Sequence, residues 1–253
     1  MIGIFDSGSG GLTVMRRIRD LVPSSDILYY GDIRNAPYGN RSRAELSTLT
    51  IRALQFLAEQ GAHSIVSACN SVSASLAISL FDTCSVSPDY LIEMVGPTVS
   101  AFKGSDMQAV LFATQATIDA GIYQSGFQMI GKEVPCYAIP ELAGAIERGE
   151  SPGHIRAIVR AMSERISWSG IDVAILACTH YPLAIDAFRV ELPPHVAIFD
   201  PAIAVAERVE ARFWPREAGD GKTRFVITKD SEVFRRYVAQ LFPGTEARVE
   251  VLE

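Results

Sequence analysis

The sequence predicts an α/β fold of two pseudo-symmetric domains, each a mainly parallel sheet flanked by helices, with the active site between them. Three observations carry that prediction. Short apolar runs alternate with amphipathic stretches from end to end, the pattern of repeated βαβ units. Two of those runs close on a cysteine in near-matching settings: Ser64-Ile-Val-Ser-Ala-Cys69-Asn-Ser and Val173-Ala-Ile-Leu-Ala-Cys178-Thr-His. A polar strand end also precedes each cysteine at nearly the same distance, Asp6 by 63 residues and Thr114 by 64.

Taken in order, Ile2 to Phe5 reads as a strand and Gly10 to Leu21 as a helix. A strand over Ile27 to Gly31, a helix over Arg41 to Gln60 and a strand over Ser64 to Cys69 follow, then a helix through Leu80 and an apolar run from Tyr90 to Val95. The second half restarts with a strand over Ala109 to Thr114, a helix over Ala116 to Tyr123 and a strand over Glu133 to Ala138. A helix over Gly153 to Trp168 leads to the strand Val173 to Cys178. The tail adds a strand at Arg224 to Thr228, a helix, and a last strand near Val249 to Leu252, which return to complete the first sheet. Boundaries near Gly96 to Ser100 and near Ala206 divide the chain into 1–97 plus 207–253 and 98–206.

At 253 residues, 48% hydrophobic and 21% charged, the chain is long enough to bury a large core and has the composition of a globular protein. No apolar run approaches the length that spans a bilayer, and Met1-Ile-Gly-Ile-Phe-Asp6 enters structure directly, so a cytoplasmic location and no membrane partner are expected. A net charge of −6 disfavours a broad nucleic-acid footprint. The four histidines, His63, His154, His180 and His195, have no metal-binding spacing. The four cysteines form neither a zinc knuckle nor a disulfide scaffold. No metal is expected.

A free cysteine is usually a small buried hydrophobe, and Cys84 and Cys136 read that way. Cys69 and Cys178 differ because each stands at the carboxyl end of a strand, where open α/β sheets bind ligands. Two thiols facing one substrate from opposite sides suit proton transfer. One base tends to return a proton to the face it came from, whereas two bases invert configuration. The segment Asp6-Ser-Gly-Ser-Gly-Gly-Leu-Thr13 follows a strand and opens a helix. Its glycines permit close backbone approach, and its register fails the dinucleotide fingerprint. Capping of the turn by Asp6 or Ser7 explains the same residues; as a site element, Asp6 suits an ammonium group. Ala36-Pro37-Tyr38-Gly39-Asn40, flanked by Arg34, Arg41 and Arg43, is either a plain turn or a holder for a carboxylate. Ala113-Thr114-Gln-Ala-Thr117 is either a helix cap or a hydroxyl-rich binding turn.

Ile2-Gly-Ile-Phe-Asp6-Ser-Gly-Ser-Gly-Gly-Leu-Thr-Val14, Tyr30-Gly-Asp32, Pro37-Tyr-Gly-Asn-Arg-Ser42, Ala68-Cys-Asn-Ser71, Ala113-Thr-Gln-Ala-Thr117 and Cys178-Thr-His-Tyr-Pro-Leu183 together resemble the glutamate racemases. The match is collinear from Ile2 to Leu183. The resemblance implies two α/β domains around a shared site, racemisation of glutamate without cofactor or metal, D-glutamate for bacterial peptidoglycan, and a homodimer. It also implies that Cys69 serves the D enantiomer and Cys178 the L enantiomer, with Asp6 and His180 assisting. Asp6, Ser7, Pro37, Tyr38, Gly39, Asn70, Ser71, Thr114, Thr117, Thr179 and His180 would hold substrate. The only lysines, Lys103, Lys132, Lys222 and Lys229, lie outside every matched motif, in keeping with a route that does not need pyridoxal phosphate.

The chain departs from the family pattern in three places. Asn70-Ser71 stands where Asn-Thr is usual, and Val95-Gly-Pro97 where many members carry Ile-Glu-Pro. Pro140-Glu-Leu-Ala143 replaces a segment that often supplies a carboxylate, leaving Glu141 or Glu147 to substitute. A sister racemase acting on aspartate is therefore the nearest rival. A binding protein of the gyrase-inhibitor kind and a nucleotide-binding enzyme are further alternatives; the former is disfavoured by the acidic charge.

Overall fold

The structure, a computed structural model, describes residues 1–73, 88–244 and 248–252. The expected helix beyond Ser73 and Cys84 lie outside the described residues. One sheet holds β1 (Ile2–Asp6), β2 (Ile27–Gly31), β3 (Ser64–Ser67), β4 (Leu91–Glu93), β9 (Thr223–Ile227) and β10 (Val249–Val251). The other holds β5 (Ala109–Ala113), β6 (Cys136–Ala138), β7 (Val173–Ala177) and β8 (Ala197–Phe199). Their orders are β10-β9-β2-β1-β3-β4 and β6-β5-β7-β8, and every pairing is parallel. The expected α/β class and the tail's return to the first sheet are both observed.

Helices cover both faces of each sheet, which is why the central strands read as unbroken apolar runs; β1, β5 and β7 are buried along their whole lengths. On one face of the first sheet, helices Gly11–Leu21, Pro201–Phe213 and Glu232–Leu241 bury Leu12, Val205, Phe213 and Phe234. On the other face, Arg43–Glu59 buries Leu46, Leu54 and Leu57 against Phe5 and Ile65. In the second sheet, Phe112 and Leu176 point toward helices Pro152–Ser163 and Ile185–Glu191. Leu111 and Ile175 point the other way, toward Tyr123 and Phe127.

Several element ends differ from expectation for local reasons. The second helix starts at Arg43, not Arg41, because Ser42 and Glu45 form a capping box, the Ser42 amide donating to Glu45 Oε2 at 2.9 Å. The segment read as one helix over 116–123 is two, Gln115–Ala120 and Ile122–Met129, parted at Gly121 with φ of +67°. The helix expected to reach Trp168 stops at Ser163, whose carbonyl accepts from the Trp168 indole at 3.1 Å. Strand β6 begins only at Cys136, since Pro135 has no N–H to donate.

Helix Pro201–Phe213 passes unbroken through Ala206, with Ala202, Val205, Ala206 and Val209 all in the first core. Asp200 caps it, accepting from the Ala202 amide at 3.0 Å. At the other crossing, Met94 belongs to the first core and Val95 and Val99 to the second.

In both sheets the chain steps to one side of its starting strand and then returns to the other side. The two crevices so formed lie between β1 and β3 and between β5 and β7. Asp6 and Cys69 stand at the carboxyl edge of the first; Thr114 and Cys178 stand at that of the second. Phe112 is fully buried among the rings of Tyr137, Trp168 and Phe188 in the second core. Phe112→Ala is expected to cost about 3–5 kcal/mol, read as an earlier denaturant transition in Trp168 fluorescence. A loss well below that range would mean that this ring cluster is not what holds the second core.

Candidate active site

Both cysteines are buried, Cys69 to 4% exposure and Cys178 to 5%. They interact across the gap between the sheets, and a negative charge on Cys178 disfavours a thiolate on Cys69. Burial pushes the Cys69 thiol up to about 12. The Asp6 carboxylate adds to the rise, while the Ser7 hydroxyl, 3.6 Å from Sγ, and the Ser71 amide oppose it. Cys178 has a different neighbourhood. Its thiol bonds the imidazole of His180, and His180 Nε2 lies 2.5 Å from Glu147 Oε2. Burial works against the imidazolium, but the bonds and charges of Cys178 and Glu147 outweigh it and hold His180 well above the usual imidazole range.

Asp6 is fully buried at the end of β1, and burial raises its carboxyl above the ordinary value. His180 opposes that rise by its charge. Three donors do so by hydrogen bonds: the Gly8 amide at 2.9 Å, the Gly11 amide, and the Thr179 hydroxyl, which reaches Asp6 Oδ1 at 3.0 Å. Asp6 thus anchors the turn through the Gly8 and Gly11 amides and also reaches Thr179 beyond β7. Helix Gly11–Leu21 itself has no side-chain cap.

The glycines between them are required by close approach. A Cβ at Gly8 would come within 2.5 Å of Glu147 Oε2, and one at Gly10 within 2.6 Å of both His180 Nδ1 and Thr179 Oγ1. One at Gly11 would meet Asp6 Cβ at 2.5 Å. The loop lies directly on Thr179, His180 and Glu147, so its backbone approaches the other half of the protein.

A second seam of hydroxyls runs between the sheets. Ser71 Oγ is 3.0 Å from Thr114 Oγ1, which is 3.0 Å from Thr117 Oγ1 and also caps helix Gln115–Ala120. A Cβ on Gly39 would lie 2.8 Å from Thr114 Cβ, so the Pro37-Tyr38-Gly39 turn also abuts this seam. The Tyr38 phenol turns away to donate to Asp32 Oδ2 at 2.6 Å. Half-buried Pro37 follows a cis peptide bond. Asn70 presents a donor. Its Oδ1 accepts from the Tyr123 hydroxyl at 2.6 Å, which fixes the amide, while Nδ2 is buried with no partner. Beside Ser71 a surface cavity of about 320 Å³ is lined by Arg41, Arg43, Leu46 and Asp119. Arg41 is occupied there, donating twice to the Asn35 carbonyl and pairing with Glu45.

Of the two carboxylates left open by the sequence, Glu147 reaches the site and Glu141 does not: Glu141 is exposed at the start of the short helix Leu142–Glu147. Ser9, Asp32 and Tyr123 also contribute contacts, although none had been singled out as a site residue. Ser9 and Asp32 lie inside the matched motifs, whereas Tyr123 carries no local signal. Among the described residues no cluster of His, Cys, Asp and Glu could hold a metal ion, and no helix is long and apolar enough to cross a membrane.

Two parallel sheets, each with a buried thiol at the carboxyl end of the corresponding strand, place the chain among two-sheet α/β proteins. The chain belongs to the Asp/Glu/Hydantoin racemase family, whose profile matches residues 2–209. It is 33% identical to a glutamate racemase of Desulforudis audaxviator over 97% of this chain and 94% of that one. The glutamate racemase isoform RacE1 of Bacillus anthracis superposes with a TM-score of 0.88 at 27% identity, covering 100% of this chain and 97% of that chain. A Francisella tularensis glutamate racemase, solved in complex with D-glutamate, gives 0.86 at 25% identity with the same coverage.

The raised His180 predicts a pH dependence of stability. A base whose folded pKa lies above its unfolded value stabilises fully below about pH 6.5 and loses that contribution as pH rises through the folded value. The melting-temperature advantage of the wild type over His180→Gln is therefore expected to shrink from pH 6 toward alkaline pH. A difference that stays constant across that range would mean that His180 is not charged in the folded protein.

Proposed function

We propose that the protein interconverts L- and D-glutamate by proton transfer between two thiols, with no cofactor. The observation that carries this reading is the placement of Cys69 and Cys178 at equivalent strand ends of two facing sheets. In the proposed step the thiolate of one cysteine takes the Cα proton. The other, protonated, thiol then gives its proton to the opposite face of the carbanion, so the enantiomer inverts and the thiol and thiolate exchange places. General-base catalysis of this kind contributes about 10²–10⁴-fold.

Asp6 receives the substrate ammonium, which removes the carboxylate charge that opposes a Cys69 thiolate. Asn70 Nδ2 and the hydroxyls of Ser7, Ser71, Thr114, Thr117 and Thr179 hold the carboxylates and stabilise the charge that develops at Cα. Pro37, Tyr38 and Gly39 act through the backbone of their turn. His180 carries the positive charge that pairs with a thiolate on Cys178. That pairing supports Cys178 as the thiolate at rest; the assignment of Cys178 to L-glutamate and Cys69 to D-glutamate is carried over from the family resemblance.

The names of the relatives favour glutamate over aspartate as substrate. On this reading the product supplies D-glutamate for peptidoglycan in the cytoplasm, and the working form is a homodimer. The proposed domains are 1–97 plus 207–253 and 98–206; the packing of helix Pro201–Phe213 in the first core supports drawing the second crossing back to Asp200. Because both thiols are at most 5% exposed, substrate reaches them only when the seam between the sheets parts.

Incubation with each enantiomer of glutamate and aspartate in heavy water, with no added cofactor, tests the reading. Glutamate should invert with deuterium entering at Cα; no exchange of any of the four would refute a racemase. Cys69→Ala and Cys178→Ala should each lower turnover by about 10²–10⁴-fold or more while leaving the protein folded. Near-normal turnover in either variant would rule out the two-thiol route.

A further inference from the structure

Ser9 is fully buried in the glycine-rich loop, and both of its donors go to one carboxylate. Its amide donates to Glu147 Oε2 at 2.8 Å and its hydroxyl to Glu147 Oε1 at 2.9 Å. Oε2 is also the oxygen 2.5 Å from His180 Nε2. A residue following β1 therefore fixes the rotation of a carboxylate that serves a histidine beyond β7. Gly8 allows this approach, since a side chain there would strike the same oxygen. The hydroxyl adds what the backbone alone cannot: it engages Oε1, so neither carboxylate oxygen is free to turn away.

We propose that Ser9 is a positioning residue that, by holding Glu147, sets the charge His180 presents to Cys178. Seating the glycine-rich loop on the second core and preparing Cys178 for proton transfer are then one event. The consequence for turnover rests on the racemase reading; the consequence for His180 does not.

The groups facing His180 are Cys178 at the end of β7, Glu147 on its helix and Asp6 at the end of β1. Tyr29 and Tyr237 face Glu147 in turn; burial raises both phenols, so neither carries charge through the neutral range. Without the Ser9 hydroxyl, Oε1 of a carboxylate that is only 9% exposed loses its donor. A buried acceptor left unpaired costs about 1–3 kcal/mol, which favours rotation of the carboxylate toward water. His180 Nε2 then loses its partner, and burial drives the ring toward the neutral form.

The test is an NMR titration of the full chain labelled with ¹⁵N-histidine, in which the four histidines are resolved and His180 is assigned from the signal missing in His180→Gln. In Ser9→Ala the His180 midpoint should fall by about one pH unit, a tenfold loss of proton affinity, with His63, His154 and His195 unmoved. Ser9→Gly removes the same hydroxyl and should move His180 the same way. Ser9→Thr keeps a hydroxyl and should stay near the wild type. The alkaline limb of kcat/KM for glutamate should move down with the His180 midpoint. An unchanged or raised midpoint in a folded Ser9→Ala or Ser9→Gly protein overturns the proposal, including the case where only the melting temperature falls. A lowered midpoint in a protein that racemises nothing supports the role of Ser9 and refutes the racemase reading.

Discussion

Asp6 is a fully buried carboxyl group at the end of the central strand of the first sheet. Taking such a group out of water as a carboxylate costs several kcal/mol unless charge and hydrogen bonds replace its hydration. The replacements come from both halves of the chain: the Gly8 and Gly11 amides from its own loop, and the Thr179 hydroxyl and His180 charge from beyond β7. His180 in turn depends on Glu147, and Glu147 on Ser9, which brings the chain of contacts back to the loop it started from. This closed circuit explains why the loop is so rich in glycine. A side chain at position 8 or 10 would separate the partners that make the buried charges tolerable.

The two halves are alike in topology and unlike in electrostatics. Burial and the Asp6 carboxylate beside Cys69 favour the neutral thiol, whereas His180 beside Cys178 supplies a positive charge. A racemase of this kind needs one thiol and one thiolate at a time, and unequal surroundings select which cysteine holds the proton at rest. On the proposed mechanism substrate reverses part of that preference, because an ammonium group at Asp6 would neutralise the carboxylate that acts on Cys69. The backbone repeat thus provides two faces, and the different side chains around it give each face its own role.

The strands were legible because β1, β5 and β7 are covered on both faces and so had to be continuously apolar. Their polar ends, at Asp6, Cys69, Thr114 and Cys178, were legible for the same reason: they interrupt the apolar pattern where ligands bind. Short elements were not. Helix Leu142–Glu147 has six residues, too few for periodicity to register, and so the choice between Glu141 and Glu147 needed the fold. The start of helix Pro201–Phe213 was legible in Asp200-Pro201, an N-cap residue followed by Pro at the first helical position, a signal that the expected boundary near Ala206 left unused. The loop glycines were read as permitting close approach, and what approaches Gly8 and Gly10 is 139 or more residues away in sequence, at Glu147, Thr179 and His180, whereas Gly11 lies against Asp6. Tyr38 shows the same lesson from the other side: its motif was visible, while the partner of its phenol, Asp32, emerged only from the fold.

The central claim, that two thiols on two sheets face opposite sides of one carbon, is geometric and has a direct geometric test. A crystal structure with bound glutamate should place Cα between the two sulfurs, about 3.5 Å from each, with the ammonium at Asp6 and a carboxylate on Asn70 Nδ2. A complex in which both sulfurs lie on the same face of Cα, or in which Cα touches one sulfur and is remote from the other, would contradict it.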